Sequence, residues 1–274
     1  MTQKAVAKSR VFGYNDIQEN VLSLEVKDLG MVIAVLSGKG GTGKTSVCAG
    51  LATALAGQGQ KILCIDLDVG LRNLDIALGM SGEPVLSFTD VSEGDAVLED
   101  AASHPRLPGL YLLTAPIGQQ PEELDRAAFR QMIQQARRRF DYVLLDAPAG
   151  VGAGFRMAAE NASIQILVTG PDPGALRDGA RSGEILELMG KEDVRLVVNR
   201  VEPKLYTSMG LTVDDVMDLV GYRLLGLVPE DHRVVLAAAG EKALLEYTTR
   251  GAAAALQRIA LRLMGHSVPI QKLK

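Results

Sequence analysis

The eight residues Gly38-Lys39-Gly40-Gly41-Thr42-Gly43-Lys44-Thr45 constrain this chain more than any other stretch. They match G-x-x-x-x-G-K-[ST] and lie between an apolar run, Met31-Val-Ile-Ala-Val-Leu-Ser, and a helix-forming segment that opens at Lys44. That context turns a pattern into a geometry. Glycines let the backbone curl until successive N–H groups face one centre. The helix behind the loop adds the positive end of its dipole. Such a loop cradles phosphates. Lys44 is placed to neutralise charge on the β- and γ-phosphates and the Thr45 hydroxyl to ligate Mg²⁺, with Ser46 beside them in the first turn.

Around the loop, short Val/Ile/Leu runs alternate with longer helical patterns. Predicted strands fall at 32–36, 61–66, 110–114, 141–146, 164–169, 194–199 and 224–228, and predicted helices at 44–57, 122–139, 174–189, 213–220 and 241–264. Most of the strands alternate little, as strands covered on both faces do. The expectation is an α/β fold: a doubly wound, mostly parallel sheet with helices on both faces. Ligands on such sheets sit at the carboxyl ends of the strands. One domain is expected over 31–265, with 1–30 as an amino-terminal extension and 266–274 as a short tail. The extension reads either as an appended, poorly ordered arm ahead of a functional start at Met31, or as a regulatory segment.

Two apolar strands end in aspartate. Ile62-Leu-Cys-Ile-Asp66-Leu-Asp68 continues into Val69-Gly-Leu-Arg-Asn73-Leu-Asp75, and Tyr142-Val-Leu-Leu-Asp146 continues into Ala147-Pro-Ala-Gly150. An aspartate at a strand's carboxyl end beside a phosphate loop can hold Mg²⁺ directly or through water, which suits Asp66 and Asp146. Asp68, two residues further on, is placed to orient an attacking water. No glutamate follows Asp146, so a strong general base is missing there and slow ATP turnover is expected.

Lys39 is a second lysine inside the loop. With it the loop takes the deviant Walker A form, and the chain resembles the MinD/ParA family. The stretch Asp68-Val-Gly-Leu-Arg-Asn-Leu-Asp-Ile-Ala-Leu-Gly79 and the Asp146-Ala-Pro-Ala-Gly150 segment look closer to its MinD branch than to plasmid partitioning proteins. The resemblance covers roughly 31–265. It implies that Lys39 reaches phosphates bound by a second copy, so that ATP closes a homodimer. It also implies that Asn73 lies near the water alongside Asp68, and that MinC/MinE-like regulatory proteins dock on the helix at 174–189. The expected function is a Mg²⁺-dependent ATPase switch in spatial organisation of the cell, above all division-site placement. A DNA-partitioning ATPase, a flagellar-number regulator and a non-catalytic ATP-gated scaffold remain as alternatives.

Asn199 ends a strand (Arg195-Leu-Val-Val-Asn199-Arg200), and Pro229-Glu230-Asp231 follows a later one. In the resembled family these positions border adenine. The plainer alternative is that Asn199 caps the turn that follows it. No N-K-x-D sequence supports a guanine site.

Bulk properties narrow the rest. A net charge of -4 and a pI near 5.5 argue against a dedicated nucleic-acid binder, and Arg137-Arg138-Arg139 reads as a solvated helix end that complements the dipole. Cys48 and Cys64 lack metal-ligand spacing and fit buried thiols in a reducing cytosol. No apolar run approaches the roughly 20 residues of a membrane span, and no secretory signal is read at the start. The last helix carries Leu256, Ile259, Ala260 and Leu263 on one side, the pattern of a helix packed on a sheet rather than of a membrane-inserting tail. A cytoplasmic location is expected, with the inner face of the cell membrane as a peripheral alternative.

Overall fold

The computed structural model describes residues 29–119 and 121–270. The expected extension falls almost wholly in 1–28 and, like the last residues of the tail, lies outside the described residues.

Among the described residues eight strands form one sheet: β1 (Met31–Leu36), β2 (Ile62–Asp66), β3 (Ala102–Ser103), β4 (Leu110–Leu113), β5 (Tyr142–Asp146), β6 (Ile164–Thr169), β7 (Val194–Val201) and β8 (Arg223–Pro229). Their spatial order is β3-β4-β2-β5-β1-β6-β7-β8. All neighbours run parallel except β3, which pairs antiparallel with β4 at the edge. The chain starts at the central β1, works outward to one side, and later returns to the other. The crevice this reversal opens lies at the carboxyl end of β1, where the phosphate loop begins.

The side-chain period of two sorts β1 onto two cores. Val32, Ala34 and Leu36 join one cluster with Phe129, Phe155 and Leu176. Ile33 and Val35 join the other with Leu51, Leu55 and Leu256. Helices α1 (Lys44–Ala56), α2 (Leu74–Leu78), α9 (Arg233–Ala239), α10 (Leu244–Tyr247) and α11 (Ala252–Leu263) cover the second face. Helices α3 (Phe88–Ser92), α4 (Arg126–Ala136), α5 (Ala153–Asn161), α6 (Pro173–Leu188) and α8 (Val213–Val220) cover the first, with α7 (Pro203–Met209) following β7. Within α1 every residue except Thr45 and Ser46 is buried, because the helix is clamped between the sheet and α11. Cys48 and Cys64 are free, buried thiols on this face, and burial pushes both pKa values up.

The structure corrects several element expectations. The helix expected at 241–264 is two, α10 and α11, parted by an extended Thr248 and by Gly251 at φ 60°. A side chain at Gly251 would overlap the Asp231 carboxylate, which caps α11 by accepting from Ala252 N–H at 3.0 Å. The helix expected at 122–139 is cut back to α4, where Asp125 accepts from Ala127 and Ala128 N–H. Helices α2, α3, α5, α7 and α9 and the strand β3 were not anticipated. All are short, nine residues or fewer, and too brief to show a helical or strand period on their own.

Candidate nucleotide site

The phosphate loop leaves β1 at Ser37 and enters α1 through Gly43, which stands at φ 81°. Gly43 is obligatory twice over: its backbone is left-handed, and a Cβ there would overlap the Asn199 amide. No side chain caps α1, and its first turn holds no acid, so the helix N-terminus presents unpaired N–H groups to the loop. The Thr42 hydroxyl in the same loop is buried with no hydrogen-bond partner, a group that a bound phosphate or water would satisfy.

Lys44 and Asp146 form a buried ion pair, Nζ to Oδ1 at 2.7 Å, with side-chain exposures of 7% and 1%. Lys44 Nζ also lies 3.4 Å from Thr45 Oγ1. Register explains the meeting. Asp146 is the partner of Val35 in β1 and of Asp66 in β2, so both acids stand at one level at the sheet's carboxyl edge. Burial raises the Asp146 pKa and Lys44 opposes that rise. Thr45 and Asp146 bring one hydroxyl and one carboxylate to the same point. Mg²⁺ is held in this fashion, by few protein ligands together with substrate phosphates, so the residues present fit the ion.

Asp66, expected to hold Mg²⁺ directly or through water, has both carboxylate oxygens bonded to backbone N–H groups. Its Oδ1 accepts from Asp68 N–H at 2.9 Å, and its Oδ2 from Asn73 and Leu74 N–H at 3.2 Å each. The carboxylate is occupied in folding the 67–74 loop. Burial, then the nearby Asp146, push its pKa up to about 6 against those three N–H donors. What Asp66 holds in place is Asp68, which is only partly buried and close enough for its charge to raise Asp146. Asn73 is exposed and its side-chain amide donates to Leu71 carbonyl at 3.0 Å, stiffening the same loop.

On the other flank Asn199 Nδ2 donates to Thr42 carbonyl at 2.8 Å, so the residue ties the end of β7 to the phosphate loop. It also lines a cavity of about 230 Å³ with Gly41, Gly43, Ser46, Pro229, Glu230 and Asp231, walled by apolar residues such as Val234 and Leu256. The side-chain hydrogen bond of Asn199 thus runs to the phosphate loop and not to the turn that follows it. Pro229, Glu230 and Asp231 border the cavity, and the carboxylates of the two acids are paired with protein groups. Glu230 pairs with Arg200. Asp231 accepts from Arg233 and Ala252 N–H; burial works against its charge, but those donors hold it below the usual carboxylate range.

Lys39 does not fold into its own loop. Its Nζ lies 3.6 Å from Asp172 Oδ1, with both side chains about half exposed. Asp172 caps α6, accepting from Ala175 N–H at 3.0 Å, and that bond with Lys39 beside it lowers its pKa. Lys39, Gly40, Thr42 and Asp172 line a second, more open cavity on the outer side of the loop, and Gly41, Arg200 and Glu230 line both. Sequence reasoning missed Asp172 and Arg200. Asp172-Pro173 was legible as a helix cap with proline at the first turn; nothing in the spacing marks Arg200.

A phosphate loop at the switch point of a parallel sheet, an uncapped helix behind it and a lysine–aspartate pair beneath it define a P-loop nucleotide-binding enzyme. The comparisons narrow the class. The CobQ/CobB/MinD/ParA nucleotide binding domain family matches residues 33–244. The septum site-determining protein MinD of Synechocystis sp. is 36% identical over 241 residues, 87% of this chain and 91% of that protein. MinD of Bacillus subtilis is 36% identical over 251 residues, 90% and 93% of the two chains. Among solved structures, the MinC:MinD cell division protein complex of Aquifex aeolicus has a TM-score of 0.82 at 32% identity, covering 89% of this chain and 99% of that one. MinD of Pyrococcus horikoshii, solved with Mg-ADP, has a TM-score of 0.76 at 28% identity over 86% and 96%. The chain belongs to the CobQ/CobB/MinD/ParA family, as a MinD-like ATPase of its deviant Walker A group that uses ATP and Mg²⁺.

Proposed function

We propose that this chain is an ATP-gated dimer switch that takes part in placing the division site. The observation that carries the reading is the outward position of Lys39. A lysine inside a phosphate loop that turns to the open side of that loop is available to phosphates held by another copy. The relatives' role in septum placement supports the cellular setting.

In this reading Gly38, Gly40, Gly41, Thr42, Gly43 and Ser46 shape the cradle, and Lys44 transfers its charge from Asp146 to the β- and γ-phosphates. Thr45 and Asp146 hold Mg²⁺, which neutralises phosphate charge when bound. Asp66 is a positioning residue. It fixes the loop from which Asp68 orients the attacking water, with Asn73 rigidifying that loop. Asn199 Oδ1 keeps acceptor capacity, which suits the exocyclic amine of adenine. Slow turnover is expected in this reading, because no glutamate follows Asp146 and Asp68 is left to orient the water. A lysine donated across a dimer acts as an arginine finger does, an effect of about 10³–10⁵ in rate.

The exposed face of α6, which begins at the Asp172 cap and ends in an 87% exposed Leu188, is the docking surface for a MinC-like partner. Any contact with the membrane in this reading is a peripheral one. Among the described residues no helix is long and apolar enough to cross a bilayer. The segment after α11 is held down, Arg262 donating to Val268 and Pro269 carbonyls.

Sizing with ATP, with ADP and without nucleotide tests the switch. Wild type should dimerise only with ATP, and Lys39→Ala should stay monomeric. A wild-type monomer in ATP, or full dimerisation of Lys39→Ala, rules the switch out. Liposome sedimentation with ATP tests the membrane contact, and co-sedimentation of a MinC-like protein with Leu188→Asp tests the α6 face.

A further inference from the structure

Strand β7 carries one residue more than β8 between the pairs Val198↔Leu227 and Val201↔Pro229. Bulges of this kind re-aim side chains beside active sites. The residues re-aimed here are Asn199 and Arg200. Arg200 stands at φ 60°, one of two described non-glycine residues in the left-handed region. Such strain persists where the surroundings over-determine it, and it gathers at ligand sites.

The surroundings of Arg200 are specific. Its Nε donates to Glu230 Oε2 at 2.6 Å, and its Nη1 donates to Gly41 carbonyl at 3.2 Å. The guanidinium therefore bridges the end of β8 and the phosphate loop, on the boundary between the two cavities. Guanidinium N–H bonds lie in the plane of the group, so both of these hydrogen bonds are made at its edge. The side chain is 54% exposed, and an ion pair that open to water contributes little stability. Stability thus does not account for the strained backbone.

We propose that Arg200 is a nucleotide-binding residue whose guanidinium plane stacks on the adenine ring, an assignment that rests on reading this site as the ATP site. Guanidinium is planar, delocalised and weakly hydrated, and it stacks on aromatic faces as an ammonium does not. Asn199 would then read the edge of the base and Arg200 its face. The apolar side chains Val234, Val235, Leu244 and Leu256 supply the remaining walls.

Calorimetric titration with Mg-ADP and with inorganic tripolyphosphate separates this role from a phosphate-side one, because only ADP carries a base. The full chain is compared with Arg200→Ala, Arg200→Lys and Glu230→Gln, each checked for a wild-type unfolding transition. Arg200→Ala should weaken ADP about five- to thirtyfold and leave tripolyphosphate unchanged. Arg200→Lys should lose nearly as much, since the charge stays and the plane goes. Glu230→Gln should lose less, again for ADP alone. Equal losses for both probes would mean that Arg200 acts on the loop through Gly41, and full retention in Arg200→Lys would mean that only charge matters. Either result, or no change in Arg200→Ala, overturns the assignment. A wild-type chain that bound neither probe would overturn the ATP site itself and the assignment with it.

Discussion

Lys39 Nζ stands 3.6 Å from Asp172 Oδ1, so the phosphate loop and the cap of α6 are linked by a half-exposed ion pair within one chain. Exposed pairs of this kind contribute about 0–1 kcal/mol. Lys39 can therefore leave Asp172 for a phosphate at small cost. Asp172→Asn keeps the cap, because asparagine caps as well as aspartate, and it frees the lysine. The expected result is an ATP-dependent dimer at least as tight as wild type, read by sizing over a concentration series. A weaker dimer would show that Asp172 assists the closed state instead of competing with it.

Lys44 and Asp146 make the opposite kind of pair, buried and 2.7 Å apart. Removing one partner of a buried pair strands the other, at about 3–5 kcal/mol. Lys44→Ala should lose nucleotide binding and, separately, unfold earlier in denaturant even without nucleotide. An unfolding midpoint equal to wild type in nucleotide-free buffer would mean that Asp146 finds other compensation.

Gly41 and Gly43 both have positive φ, 80° and 81°, but different surroundings. A Cβ at Gly41 meets open space, whereas one at Gly43 overlaps the Asn199 amide. Gly41→Ala should cost only the left-handed penalty of about 1–2 kcal/mol. Gly43→Ala should cost clearly more and break the bond from Asn199 to Thr42 carbonyl. Denaturant unfolding of the two variants side by side tests the difference; equal losses would contradict it.

His104 sets a pH limit on stability. Its Nδ1 accepts from Arg106 and Leu107 N–H, so the proton sits on Nε2 and is donated to Leu78 carbonyl at 2.8 Å. Burial lowers its pKa from 6.5, although Glu246 lies 3.8 Å away and Glu83 also favours the charged form; Arg106 opposes it. The folded chain thus binds this proton less readily than the unfolded chain. The stability His104 contributes is complete above pH 6.5 and is lost as pH falls from there through the lowered folded value. His104→Gln should flatten that acid-side slope in urea melts between pH 7 and 5. An unchanged slope would place the dependence on other groups, Asp66 among them.

The parallel sheet, the phosphate loop and the aspartates at two strand ends were legible in the sequence. Each is a local statement: a buried strand is a run of Val, Ile and Leu, and a loop that must curl is a run of glycines. Lys39 marked the family for the same reason, as an odd residue in a fixed pattern. Tertiary structure decided how these residues are used. Register set Asp66 beside Asp146, while the loop's own N–H groups claimed the Asp66 carboxylate. Strands β7 and β8 came together so that a bulge could turn Arg200 over the loop and Glu230 could hold it there. The Asp66–Asp146 and Arg200–Glu230 neighbours are 30 or more positions apart, between groups that no periodicity relates. The sequence alone determined which chemistry the chain carries; the packing of distant segments decided which atom of each residue is free to perform it.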